Sequence, residues 1–149
     1  MYLRNHIGIP GIQGIIPPSL QKFSHTEVKG YDYDASLTQV YLRKAGYHPG
    51  KEKPIKLYTT AFYMELSEYL QKEWSRAGIA ISIELNPAST HLDLVSKGKA
   101  YFFRGSWLGD YADGENYLSL FYSPNFSPSG PNRTHFKSEK YNLLYQQAM

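Results

Sequence analysis

Between Trp107 and Tyr117 the chain reads Trp-Leu-Gly-Asp-Tyr-Ala-Asp-Gly-Glu-Asn-Tyr, which sets an indole, two glycines and three carboxylates close together. That is the composition of a pocket that orients a cationic group against an apolar floor. The same residues also read as a solvated acidic turn, in which Asp113 or Glu115 merely favours the N-terminus of a following helix. Asp110 and Asp113 have, in addition, the residue types of a general acid and base, and so of a small carboxylate-dependent hydrolase. Close carboxylates in a turn are common, and the residues alone leave these readings open.

Arg104 stands just upstream, in an otherwise apolar stretch. Alternation puts Tyr101, Phe103 and Gly105 on one face and Phe102, Arg104 and Ser106 on the other. A guanidinium near the ligand end of a sheet holds a carboxylate in bidentate geometry; the alternative is an edge or outward-facing position. Other chemistries find little support. His6, His25, His48, His91 and His135 share no i, i+4 pair and no short ligand spacing, so no protein-built metal site is expected. The chain has no cysteine, which excludes disulfides, thiolate metal sites and cysteine nucleophiles. The glycines form neither a Walker loop nor a dinucleotide-binding spacing, and no serine lies in a nucleophile elbow, so no cofactor and no catalysis are expected. The sequons at Asn125 and Asn132 are low-specificity patterns.

The elements that must position these residues follow from periodicity. Residues 1–30 read as an extended connector: Gly8, Pro10, Gly11, Gly14, Pro17 and Pro18 interrupt every pattern that Ile9, Ile12, Ile15 and Ile16 begin. Those isoleucines are expected to anchor the segment on a core. Asp34 caps a helix with Leu37, Val40, Tyr41 and Ala45 on one face, and Gly46 stops it. The stretch 55–60 alternates as a first strand. From 63 to 77, Leu66, Tyr69, Leu70, Trp74 and Ala77 form one helical stripe, and Gly78-Ile79 has the pattern of a Schellman ending. A second strand covers 80–85. Thr90 and Asp93 form a capping box for a short helix closed by Gly98. A third strand spans 101–107, an aromatic-rich helix 115–123, and a last helix runs from Ser138 with Tyr141, Leu144 and Tyr145 on one side. Strand, helix, strand, helix, strand with right-handed crossovers gives a parallel sheet, hence an α/β architecture. In such sheets ligands bind beyond the carboxyl ends of the strands, which is where 107–117 falls.

Composition bounds the partners. With 149 residues there is room for one domain of ordinary size. The 42% hydrophobic content is too high for a disordered chain, and no apolar run approaches the length of a membrane-spanning helix. A net charge of +3 without a block of like charges argues against nucleic acid as a partner. The 14 tyrosines among 23 aromatics suit half-wet surfaces such as ligand clefts, since a phenol buries its ring and keeps a polar tip. The first residues lack the apolar stretch of a secretory signal, so any export address lies outside this sequence.

Several blocks together resemble the extracytoplasmic solute-binding proteins of peptide ABC importers, family 5, which includes dipeptide, oligopeptide and nickel-chelate binders. They are Gly14-Ile15-Ile16-Pro17-Pro18-Ser19-Leu20, Tyr31-Asp32-Tyr33-Asp34, Lys44-Ala45-Gly46-Tyr47, the Trp74 to Ile79 turn with the strand after it, and the block from Trp107 to Leu118. That last block is similar to the family's tryptophan, two-residue spacer, Asp-Tyr, then Asp-Pro-x-Asn-aromatic signature, with Gly114 in place of the proline. Asn132 through Ala148 resembles the closing Asn and Tyr-x-x-Leu helix.

The resemblance implies a partial type II periplasmic-binding-protein lobe, with a mixed, largely parallel sheet flanked by helices. Residues 31–149 would be the truncated C-terminal lobe of a two-lobed protein whose first lobe is missing here. It implies that Asp110 binds the α-ammonium group of a peptide, that Trp107 lines the pocket beside it, and that Arg104 takes a ligand carboxylate. It further implies delivery to the permease subunits of an importer, a periplasmic or cell-surface location, and membrane attachment only through the permease or a lipid anchor elsewhere. A sensor or metal-chelate receptor of the same fold is the alternative within the binding class.

Overall fold

The computed structural model describes residues 13–20, 28–30 and 32–149. Ile9, Ile12, Tyr31, His6 and His25 lie outside them. The chain forms two compact units. The first gathers the described residues up to Asp32 with 96–98 and 106–149; the second comprises 33–95 and 99–105.

The second unit is a βαβ module. Strand β1 (Ile55–Thr59) and strand β2 (Ile81–Leu85) pair in parallel, with Leu57 opposite Ile83 and Thr59 opposite Leu85. Helix α2 (Met64–Arg76) makes the crossover, entered through a 3-10 turn at Ala61–Tyr63. Its apolar stripe covers the strands, and the fully buried Ser67 lets it approach β1 closely. Ser67 Oγ donates to the Tyr63 carbonyl at 2.9 Å and lies 3.1 Å from Thr59 Oγ1, so no buried hydroxyl is left unpaired there. Leu57, Ile81, Val95 and Ala100 form the apolar core, and Gln71 Nε2 ties α2 to the Ile81 carbonyl at 2.8 Å.

Helix α1 (Ala35–Lys44) starts as its sequence dictates: the Asp34 carboxylate accepts from Ser36 Oγ and from the Leu37 amide, and both bonds hold its pKa below the ordinary carboxylate value. Gly46 (φ +68°) and Gly78 (φ +87°) occupy the left-handed region that ends α1 and α2. The Ile79 amide reaches the Trp74 carbonyl at 2.9 Å and the Gly78 amide the Ser75 carbonyl at 3.0 Å, the Schellman pair expected from Gly78-Ile79.

Three expectations need correction. Helix α3 (Ala88–Ser96) begins directly after Pro87, whose carbonyl takes the His91 amide at 2.9 Å, so Thr90 lies inside the helix and the Thr90/Asp93 capping box does not form. The third strand shrinks to one parallel bridge, Tyr58 with Phe103, because the amides of Lys99 and Ala100 turn back to the Leu94 carbonyl and close α3 instead of extending the ladder. What remains is still held to β1: the Tyr58 amide donates to the Phe102 carbonyl and the Arg104 amide to the Tyr58 carbonyl. Phe102 stacks on Trp74 with centroids 5.2 Å apart. Finally, the helix expected over 115–123 is a single α-turn, α4 (Glu115–Leu118), followed by 3-10 turns at Ser119–Phe121 and Ser123–Asn125.

The first unit is built on aromatics and amide pins. Helix α5 (Glu139–Ala148), capped by Ser138, half-buries Tyr141 and Tyr145 and exposes Leu144. Tyr141 Oη donates to the Leu118 carbonyl at 2.7 Å, and Tyr122 stacks on Tyr145 with centroids 4.4 Å apart. Asn132 is 0% exposed: its side chain donates to the carbonyls of Tyr122 and Phe136 and accepts from Thr134 Oγ1 and the Phe136 amide. An amide so enclosed cannot serve as a glycan acceptor, which disposes of that sequon. Ile16 is buried and Ile15 half exposed. Among the described residues no helix is long and apolar enough to cross a membrane.

Candidate functional site

The first unit carries the loop 106–114 and, at its end, helix α4, and together these divide the labour among the three carboxylates. Asp113 Oδ1 accepts the Glu115 amide at 2.9 Å, spending that carboxylate on the start of the helix. Glu115 is half-buried and accepts from two phenols, Tyr111 of the loop and Tyr145 of α5. Burial first, then the bond to Glu115, pushes the Tyr145 phenol well above the ordinary tyrosine range; for Tyr111 the bond to Glu115 is the main cause of the same upward shift. Asp110 is exposed and, among the described residues, carries neither hydrogen bond nor ion pair. Of the three, it alone keeps its full acceptor capacity for something outside the chain.

Trp107, within this loop, is half-buried, and its indole Nε1 donates to Asn116 Oδ1 at 2.6 Å. Asn116 is itself only 3% exposed, so the ring hangs from an immobile point on α4. Gly109 provides room: a Cβ there would lie 2.6 Å from Tyr117 Oη. The loop thus presents a fixed indole and a free carboxylate three residues apart in sequence, an arrangement suited to holding a cation. Asp113, already spent on the Glu115 amide, makes a poor partner for Asp110 in acid and base chemistry.

Arg104 belongs to the second unit, Trp107 and Asp110 to the first. It follows Phe103 at the carboxyl end of the bridged segment, is half-buried, and lays its guanidinium carbon 3.3 Å from the centroid of the Tyr63 ring. Among the described residues its side chain has no hydrogen bond or ion pair. In the same unit a hollow of about 660 Å³ opens between α1 and α2, lined by Tyr33, Gln39, Tyr69 and Trp74 among others, and none of the expected site residues borders it.

The model of the family described as Bacterial extracellular solute-binding proteins, family 5 Middle, matches residues 6–129. The chain belongs to that family. It is 25% identical over 143 residues to the oligopeptide-binding protein OppA of Bacillus subtilis (strain 168), an alignment covering 89% of this chain and 26% of OppA. It is 23% identical over 140 residues to heme-binding protein A of Haemophilus influenzae, covering 90% of this chain and 25% of that protein. Among solved structures it resembles the periplasmic binding protein DppA of Helicobacter pylori in complex with the peptide STSA, with a TM-score of 0.76, 23% identity, and coverage of 92% of this chain and 27% of DppA. The fold is therefore that of a periplasmic binding protein, and this member of family 5 spans about a quarter of the length of the relatives it matches.

The signature block pointed to Trp107 and Asp110 but gave no role to Asn116, Tyr145 or Tyr63. Asn116 stands in the signature itself, so its spacing from Trp107 was the available signal. Tyr145 lies 30 residues from Glu115, beyond the reach of any local pattern. Tyr63 was detectable only as an aromatic placed just after a strand's carboxyl end.

Proposed function

We propose that this chain forms part of the substrate-binding component of a peptide ABC importer, working outside the cytoplasm and delivering peptide to the permease subunits. Asp110 takes the peptide's α-ammonium group, Trp107 packs beside it, and Arg104 takes a ligand carboxylate. No bond is made or broken in this role. Ligand that binds the closed form of a two-lobed clamp better than the open form shifts the hinge toward closure, and the permease reads the closed form.

The observation that carries this reading is the contrast between neighbouring carboxylates: Asp113 and Glu115 are engaged, while Asp110, three residues from a pinned tryptophan, is exposed and has no partner among the described residues. A carboxylate receiving an ammonium in a closed site makes charge-assisted bonds of about 1.5–3 kcal/mol each. Backbone contacts supply the rest, which leaves ligand side chains weakly specified.

The experiment is titration of the complete protein and its Asp110→Ala variant with peptides carrying free or acetylated N-termini. Affinity for the free-amine peptides should fall about tenfold or more, equivalent to about 1.4 kcal/mol, while the acetylated ones should bind both proteins equally weakly. A smaller loss removes the ammonium contact from the account. The similarity to a protein named for heme binding favours a second reading, a receptor for a metal chelate. An anionic chelate would engage Arg104 and have no use for Asp110, so its binding should survive Asp110→Ala.

A further inference from the structure

Arg104 is held in a way that its own backbone does not explain. Its amide is tied to β1 through the Tyr58 carbonyl at 3.2 Å, but from there a flexible side chain with several rotors leads to the guanidinium. The Tyr63 ring, 3.3 Å from the guanidinium carbon, takes up that freedom. Tyr63 is itself anchored to the same strand end: its amide donates to the Thr60 carbonyl at 3.0 Å, its carbonyl accepts from the buried Ser67, and Phe62 meets its ring edge-to-face at 4.8 Å. Ring contact occupies the face of the planar cation and leaves its N–H edges, none of which is spent on a described residue. A half-buried cation with an occupied face and unspent edges matches a planar, bidentate anion.

We propose that Tyr63 is a positioning residue that fixes Arg104 as a carboxylate receptor, so that the ligands favoured here carry a free carboxylate. This rests on the reading of Arg104 given under Proposed function. Because the ring pre-orders the guanidinium, less conformational freedom is lost when a carboxylate arrives, and the gain appears as preference for a carboxylate over its amide.

The test measures that preference in the complete protein as the ratio of affinities for tri- to pentapeptides supplied as the C-terminal acid and as the amide. A second arm compares amidated peptides containing glutamate or glutamine, which separates a terminal carboxylate from a side-chain one. Taking a ratio within each variant cancels any loss of folded protein. Wild type should prefer the acid in one arm, and Arg104→Ala should abolish the preference. Tyr63→Ala and the bulkier Tyr63→Leu should lower it about two- to fivefold, the scale of a cation–π contact, while Tyr63→Phe should keep it. A preference that Arg104→Ala removes but both Tyr63→Ala and Tyr63→Leu leave intact overturns the role of Tyr63 alone, as does an equal loss in Tyr63→Phe. No acid preference in wild type, no binding of any pair, or a preference indifferent to Arg104→Ala overturns the reading of Arg104 and the inference with it.

Discussion

The indole nitrogen of Trp107 donates to the side-chain oxygen of Asn116 at 2.6 Å, across a loop in which Leu108 and residues 110–113 are exposed. Because Asn116 is buried, the bond fixes the ring from inside the fold. Asn116→Ala should therefore strand the indole N–H and lower stability by about 1–3 kcal/mol in denaturant titration. Trp107→Phe, which removes donor and part of the ring, leaves the Asn116 oxygen unpaired and should cost a similar amount. If Asn116→Ala leaves both stability and tryptophan emission unchanged, the ring is held by something other than this bond.

Asp110→Ala should shift stability by less than about 0.5 kcal/mol, since an exposed carboxylate with no partner among the described residues contributes little to the fold. Glu115→Ala should cost more than that, because the half-buried Tyr145 phenol loses its acceptor, whereas the exposed Tyr111 hydroxyl can turn to water. Thermal unfolding of the two variants side by side separates a residue free for ligand from one consumed by structure. A large loss in Asp110→Ala would contradict the division of labour among the carboxylates.

The Glu115 clamp also predicts sensitivity to alkali. Tyr145 and Tyr111 both have folded-state pKa values raised above the ordinary tyrosine value of 10.0. As pH passes about 10, the unfolded chain releases these protons while the folded chain retains them, so stability present below that pH is lost as it rises further. Replacing the carboxylate in Glu115→Gln removes the charge that opposes ionisation, and tyrosinate absorbance should then appear at lower pH. Titration curves that superimpose for wild type and Glu115→Gln would refute the assignment.

How much of this was legible in the sequence depended on range. Helix α2 and its end at Gly78-Ile79 are encoded by residues within a turn of one another, and they form as read. The start of α3 was misplaced because Thr90 and Asp93 match a capping pattern, while the main chain instead turns at Pro87. The third strand has the right side chains, but the claim of the Leu94 carbonyl on the next amides is a main-chain event with no side-chain signature. At the site, the motif marked the loop, whereas Tyr145 and Glu115 are brought together only by folding.

Asn132 offers a sharper test of the first unit. Four hydrogen bonds converge on one fully buried side chain, two donated to the carbonyls of Tyr122 and Phe136 and two accepted. Asn132→Ala should cost about 3 kcal/mol, since several buried groups lose partners at once. Asn132→Asp keeps the acceptor and loses both donors, so it should be destabilising too, and more so as pH rises and a buried charge develops. Equal stability of Asn132→Asp and wild type at neutral pH would count against the enclosed geometry.

Gly114 stands where the family signature usually has proline, and its backbone is already shaped for one. Its φ of −62° and ψ of −31° match the roughly −65° that a pyrrolidine ring imposes, at the residue just before α4. Among the described residues its amide donates no hydrogen bond, and an added Cβ would lie 3.3 Å from Ile16 Cδ1, the movable end of a side chain. Gly114→Pro should thus raise stability by about 0.4–1 kcal/mol, chiefly by narrowing the unfolded ensemble. In a chain of this size that corresponds to a rise in Tm of about 1–4 °C. Gly109→Ala is the counterpart, because its Cβ would fall 2.6 Å from Tyr117 Oη and displace that ring, and its Tm should drop. A fall in Tm for Gly114→Pro would mean that Asp113, the residue a proline would restrict, cannot keep its place in the turn.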